Sequence, residues 1–404
     1  MRRRAATVAV ALLVVVGMLV AACGGEEGGI TTTTQPSSPT SQAESDTTTS
    51  SEDGGGGENP YTSDTWTADG VPDYASFDMT GEQILWADFG GTIHEDFANT
   101  YLDSFSELTG VEIIDASPFD YAQVRAQVES GNIQYDMIPG VDYVIQQGCG
   151  ELYEEIPDEK FYRGLIREEV LASPCVIPHG TTVFLPFYHR ETYQDNPPDS
   201  CDDFFDLEGY PGSRAVWNSS VGIPFEIALL ADGVSPDAMY PIDFDRALAK
   251  WDTIRDGLEF YSPLGQAQEG MLNEQWDMLI ANQAAGMRIV RADGEIAYEP
   301  VWECAVAQVQ SIGILKGTPR LDAATALAGY ATTPEPQAVG MMVRASSPVL
   351  EPEEIIVPDD LPEYMQDYLM YFNEDKMPLV FQDSTFWSEN FEEAEQIFQQ
   401  WQVG

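Results

Sequence analysis

Basic residues are scarce in this sequence. Eighteen lysines and arginines stand against 68 aspartates and glutamates, giving a formal charge of −50 with the three histidines neutral. The lysines are Lys160, Lys250, Lys316 and Lys376. So acidic a chain is repelled by nucleic acid and by anionic lipid surfaces, which removes both as binding partners. Two readings of the charge remain: a solvated surface suited to high salt, where self-repulsion is screened, and attraction of a cationic ligand. Catalytic signatures are missing as well. There is no G-x-S-x-G, no H-E-x-x-H and no Walker motif. His94, His179 and His189 have no zinc-ligand spacing with the cysteines. No metal or cofactor is therefore expected. A hydrolase would need a nucleophile with its base or two carboxylates across a cleft, and acids are too abundant here for any pair of them to be informative.

What is present begins with an export signal. Arg2, Arg3 and Arg4 precede an apolar run from Ala5 to Ala22, which closes on Leu19-Val20-Ala21-Ala22-Cys23. The positive charge holds the start on the cytoplasmic side, the apolar stretch enters the bilayer, and the small Ala21 and Ala22 admit a peptidase. The pattern resembles a bacterial lipoprotein lipobox, with residues 1–22 as the signal peptide and Cys23 as the lipidated thiol. An uncleaved membrane helix is the alternative, because the run approaches spanning length. Either way the chain is expected to be anchored to the membrane on its extracytoplasmic side, at the cell surface or in a periplasm. Residues 24–60 hold Thr31 to Thr34, Thr47 to Thr49 and Gly54 to Gly57 and no large aromatic side chain. Such a stretch cannot bury enough surface to fold, so 23–75 is expected to be the anchor and a disordered linker. Four cysteines remain, Cys149, Cys175, Cys201 and Cys304. Outside the cytoplasm an even number favours two disulfides, with three pairings open.

Farther along, strands and helices alternate. Gln83 to Phe89 reads as a strand before the pair Gly90-Gly91, and Ile93 to Leu108 as a helix with the stripe Ile93, Phe97, Tyr101, Phe105 and Leu108. Thr92 and Glu95 have capping-box spacing at its start, and Gly110 stops it. A strand at Val111 to Asp115, a helix after Asp120, a strand at Tyr135 to Pro139 and a helix at Asp142 to Gln147 continue the βα pattern. Later come a short helix with Phe204, Phe205 and Leu207, a strand at Arg214 to Trp217, and helices at Pro224 to Leu230 and Asp245 to Gly257. The terminal helix carries Phe391, Ala394, Phe398 and Trp401 on one face. This alternation predicts an α/β fold with ligand sites at the C-terminal ends of strands.

The order "FGGTIHEDFANTYLDSFSELTGVEI", "VESGNIQYDMIPG", "DDFFDLEGYPGSRAVW", "LLADGVSPDAMYPIDFDRALAKWDTI" and "FWSENFEEAEQIFQQW" resembles the spermidine/putrescine type of extracellular solute-binding protein, from Gln83 to Trp401. The resemblance implies a two-lobed, periplasmic-binding-protein-like (type II) α/β fold over 76–404, with a hinge and an interlobe cleft. Lobe 1 would take about 80–183 plus 283–316, and lobe 2 about 184–282 plus 317–404. It implies a monomer that captures a small solute, a polyamine or other organic cation, and delivers it to the permease of an ABC importer. On this division Cys149 pairs with Cys175, and Cys201 with Cys304 near the hinge. A surface sensor or adhesin reusing the fold is the rival function.

In such a cleft the ligand contacts fall to Asp88, Phe89, Gly90, Gly91 and Thr92, then to Asp142 and Tyr143. The second lobe would contribute Trp217, Ser219, Ser220 and Glu226, its next edge Gln266 and Gln268, and the hinge Asn282 and Gln310. Carboxylates suit an amine's charge, and aromatic faces suit its methylenes. Each residue has a plainer role available. Phe89 and Trp217 fit a core, Thr92 a helix cap, Gly90-Gly91 a turn, Glu226 a solvated helix face and Arg288 a structural ion pair. The sequence departs from the polyamine pattern at Ile280-Ala281-Asn282-Gln283 and after Trp217, where Ser219, Ser220 and Gly222 stand in place of acids.

Overall fold

A computed structural model describes residues 72–156, 165–262, 265–293, 297–378 and 380–404. The signal peptide, Cys23 and the linker up to residue 71 lie outside the described residues, as does Lys160. Among the described residues no helix is long and apolar enough to cross a membrane.

The first half of the fold follows its pattern closely. β1 (Gln83–Trp86) buries Ile84 and Trp86 and pairs in parallel with β2 (Glu112–Asp115) and β3 (Met137–Val141). The expected helix between β1 and β2 runs as Thr92–Phe97, a π-helical segment Ala98–Leu102, then Asp103–Thr109, and stops at Gly110 with φ 77°. Phe97, Tyr101 and Phe105 are buried, but Ile93 and Leu108 at the ends of the stripe are exposed. Ile93 lies in the first turn and Leu108 in the last, so the stripe is buried only along its middle. The capping box does not form: Gly91, at φ 62°, is the N-cap and no side chain caps the helix. Only a residue without a Cβ takes that left-handed turn readily.

β4 (Ile177–His189), β5 (Arg214–Trp217), β6 (Leu258–Tyr261), β7 (Met278–Asn282), β8 (Tyr298–Pro300), β9 (Val306–Ile314) and β10 (Val380–Phe381) complete one sheet of order β2-β1-β3-β9-β4-β7-β5-β6. β10 pairs with β9, and β8 with β4. β6 and β7 are each parallel to β5, while β4 is antiparallel to β7 and β9, and β9 is antiparallel to β3 and β4 but parallel to the short β10. The two parallel groups, each covered by helices, are joined through β4 and β9. This is the expected two-lobed α/β architecture.

Separate cores support the two groups. Trp86, Phe97, Tyr101 and Phe105 share one with Ala323, Ala324, Leu327 and Tyr330. Phe225, Trp251, Trp387 and Phe398 anchor another, and Tyr261, Trp276, Met287 and Tyr368 a third. Packing departs from the expected division at two helices. Gln283–Asp293, expected with the first lobe, packs on β4, β7, β8 and the helix Gly265–Leu272. Leu321–Ala331, expected with the second, fills the first core because its alanine-rich surface fits closely under β1 and β9.

Both expected disulfides are present, Cys149–Cys175 with a Cα separation of 5.5 Å and Cys201–Cys304 with 4.7 Å. The second was expected near the hinge. It lies in the core of the second group, with Phe204, Ile280 and Val301, and Cys304 stands just ahead of the crossing strand β9.

Candidate functional site

Strand register locates the cleft. The C-terminal end of β3, Val141, pairs with Gln310 of β9, and Gln310 pairs with Gly180 of β4. The C-terminal end of β7, Asn282, pairs with Phe184 of β4. Both parallel groups therefore aim their C-terminal edges at one band, Gly180–Phe184 of β4 against Val306–Gln310 of β9. Ligands of open α/β sheets bind at such edges.

The band is floored by neutral polar side chains. Gln310 is half-buried and donates from Nε2 to Gln308 Oε1 at 3.1 Å; Gln308 donates to Gln382 Oε1 at 2.8 Å, and Gln382 to Glu226 Oε1 at 3.2 Å. Tyr240 Oη and Trp387 Nε1 each donate to the same Glu226 oxygen at 2.8 Å. Glu226 is fully buried, which raises its pKa, and its Oε2 has no partner. Glu226 thus ends an internal relay and is not on a solvated face. Thr182 Oγ1, opposite Gln308, donates to Gln283 Oε1 at 3.1 Å. Asn282 Oδ1 accepts from the Ala285 amide at 3.1 Å, opening the helix Gln283–Asp293.

The remaining acids expected to meet a cation are also engaged. Asp88 is fully buried. Its Oδ2 accepts from Trp86 Nε1 at 2.7 Å and lies 2.9 Å from His94 Nδ1, and its Oδ1 accepts from the Gly90 amide at 2.7 Å and Ser117 Oγ at 3.0 Å. Asp142 is buried at the start of its helix, where Ser384 Oγ donates to it from the C-terminal helix Ser384–Val403. Burial pushes its pKa up to about 7, against the lowering effect of the Ser384 bond. Tyr143 beside it is buried against Trp387 and Phe391, with centroids at 6.1 and 5.3 Å.

Ser219 and Ser220 face inward too. Glu395 Oε2 of the C-terminal helix accepts from Ser219 Oγ at 3.2 Å, Ser220 Oγ at 2.6 Å and the Ser220 amide at 2.7 Å. These serines fasten a helix. Gln266 Oε1 accepts from the Ser262 amide at 2.9 Å, closing the turn after β6, and Gln268 is half-buried on the helix Gly265–Leu272.

Aromatic residues remain open. Phe89 is 52% exposed, not a core residue, and its ring meets Phe119 at 5.1 Å beside Gly90, Gly91 and the exposed Thr92. Trp217 is half-buried and stacks on Phe184 at 6.3 Å, at the end of the band. Gly222 packs so close to the Trp217 side chain that a Cβ there would stand 3.2 Å from it. Arg288 forms an ion pair with Asp96, joining the helix after β7 to the helix after β1. Two cavities of about 480 and 530 Å³ lie elsewhere. The first is lined by Tyr188, Arg190, Glu299, Trp302 and Lys376, the second by Cys201, Leu230, Asp232 and Glu303, and neither includes a ligand candidate. Among the described residues no cluster of His, Cys, Asp and Glu could hold a metal.

Thr182, Gln308 and Gln382 in the band's polar network and Phe119 beside Phe89 are residues that sequence reasoning passed over. Gln308 and Gln310 carried a usable signal, two amides at i and i+2 on one face of a strand whose other polar residue is Ser311.

Known proteins match this arrangement. Residues 100–352, more than half of the chain, match the model of a family of bacterial extracellular solute-binding proteins. No curated protein matches. Among solved structures, the Atu4243 GABA receptor superposes with a TM-score of 0.71 at 23% identity, covering 80% of this chain and 98% of its own. The binding protein AgtB of Agrobacterium tumefaciens R10, in complex with agropinic acid, gives 0.65 at 21%, covering 80% and 100%. MotA of A. tumefaciens B6, in complex with glucopine, gives 0.66 at 20%, covering 79% and 99%. At these identities the likeness is one of fold.

Proposed function

Because this chain belongs to the bacterial extracellular solute-binding proteins, which bind small solutes and deliver them to ABC permeases, we propose that its solute carries a carboxylate, as amino acids and opines do. One observation carries the solute class: Asp88, Asp142 and Glu226, the acids expected to grip a cation, are buried and hydrogen-bonded within the protein. A polyamine would need several free carboxylates, and that expectation finds no support. The half-buried amide of Gln310, the exposed Phe89 and the stacked Trp217 suit a small polar molecule with a short apolar chain. The proteins in complex with agropinic acid and glucopine, and the GABA receptor, agree with this reading. The chain works as a monomer, held outside the cell by lipid on Cys23.

Two measurements test the reading. Calorimetry on the purified full-length protein should give saturable binding to 4-aminobutyrate or glucopine, with a Kd on the order of micromolar, and none to putrescine or spermidine. Binding of the amines alone would overturn the solute class. Cys23→Ala should abolish incorporation of labelled fatty acid; persistent labelling would remove the anchor.

A further inference from the structure

In a chain with 68 acids, Arg344 has no carboxylate within ion-pairing distance among the described residues, although it ends the helix Pro334–Arg344 in a largely enclosed position. Its guanidinium lies 4.4 Å from the Phe97 ring centroid and donates to His179 Nδ1 at 3.0 Å. Arginine has no acceptor, so Nδ1 must accept and the ring proton must sit on Nε2. Burial and the adjacent Arg344 charge hold His179 well below the ordinary histidine range, so the ring is neutral. Its Nε2–H is buried and meets no acceptor. Tyr101, 5.9 Å away ring to ring, has a buried hydroxyl that also lacks a partner. Burial keeps that hydroxyl protonated, and Arg344 acts on it electrostatically.

Donors from three elements therefore converge without an acceptor: the π-helical segment supplies Tyr101, β4 supplies His179 and the helix Pro334–Arg344 supplies Arg344. The acids in electrostatic reach are committed, Asp96 to Arg288 and Asp88 to its own donors. Buried donors left unpaired are costly and rare. The local backbone departs from regular geometry here as well. A π segment, a β-bulge between Pro178 and Gly180, and Ala345 at φ 52° all border the cluster, and such features persist where the surroundings hold them for a purpose.

We propose that Arg344, Tyr101 and His179 form a receiving site for a carboxylate, and that in transport this is the carboxylate of the captured solute. The inference rests on the solute class proposed for the cleft. Arg344 is partly exposed, so an anion reaches its guanidinium fork from the solvent side, while the Tyr101 and His179 donors complete the coordination from within.

The test uses the full-length protein with sodium acetate and 4-aminobutyrate as probes. Side-chain ¹⁵N resonances of Arg344 and His179 are followed by NMR, and affinities by calorimetry. Tyr101→Phe removes only an unpartnered hydroxyl, so its Tm should be unchanged or higher, yet its affinity for 4-aminobutyrate should fall about tenfold or more. Arg344→Gln should abolish binding, and Arg344→Lys should restore part of it. Saturable acetate shifts at Arg344 and His179 without binding of any carboxylate solute would support the anion site and overturn the solute reading alone. Wild-type affinity in Tyr101→Phe and Arg344→Gln would overturn the site. So would resonances that neither probe moves, which would leave the cluster holding water only.

Discussion

Asp142 shows how far a residue's chemistry depends on what folds over it. Its carboxyl is buried beneath the C-terminal helix, and burial raises its pKa to about 7. A carboxylate whose folded pKa lies above its unfolded one stabilises the fold most when protonated, and that stability is lost as pH rises from about 4 through 7. Between pH 5 and 8 the loss should be on the order of 2 kcal/mol. Denaturant titrations at the two pH values should show it, and Asp142→Asn should remove most of the difference; an unchanged difference in the variant would assign the effect to other groups. The sequence displayed Asp88, Asp142 and Glu226 at the ends of elements, where cation ligands belong, but it did not display their partners. Ser117 lies 29 positions from Asp88, and Ser384 lies 242 from Asp142. Phe89 has the opposite environment. Its size argued for a core, but the left-handed Gly90-Gly91 turn holds it out on the rim.

Elements were more legible than residues because their signals are local. The helix Asp142–Gln147, the strand Arg214–Trp217 and the stop at Gly110 lie where periodicity and glycine put them. The π segment was not legible, since one extra residue in a turn leaves no mark in composition. The packing partners of Leu321–Ala331 were not legible either: an alanine-rich helix matches any close-packed surface, so its neighbours are set by the fold as a whole. The disulfides tie distant elements, and loop entropy ranks them. Opening Cys201–Cys304, which spans 103 residues, should cost about 4 to 5 kcal/mol, and Cys149–Cys175, spanning 26, about 3 to 4. Paired Cys→Ser variants compared by urea unfolding would check the order; a greater loss at Cys149–Cys175 would mean that the loops retain structure when unfolded.

The fold class of the whole molecule was readable, and its charge was readable but ambiguous. With −50 formal charges, repulsion among surface acids should weaken as the screening length falls from about 10 Å at 0.1 M salt to about 3 Å at 1 M. Tm should therefore rise over that range in sodium chloride, as measured by differential scanning calorimetry; a flat response would mean that the acids are neutralised locally. At this scale the band between Gly180–Phe184 and Val306–Gln310 has a further consequence. Two of the strands that join the lobes remain hydrogen-bonded to each other through the crossing, so a turn of one lobe against the other has to alter the twist of that ladder. The backbone amides of the band should then exchange with deuterated solvent as slowly as those of the cores, with or without solute, and the parts of the protein that move the least against each other will be those about which it moves.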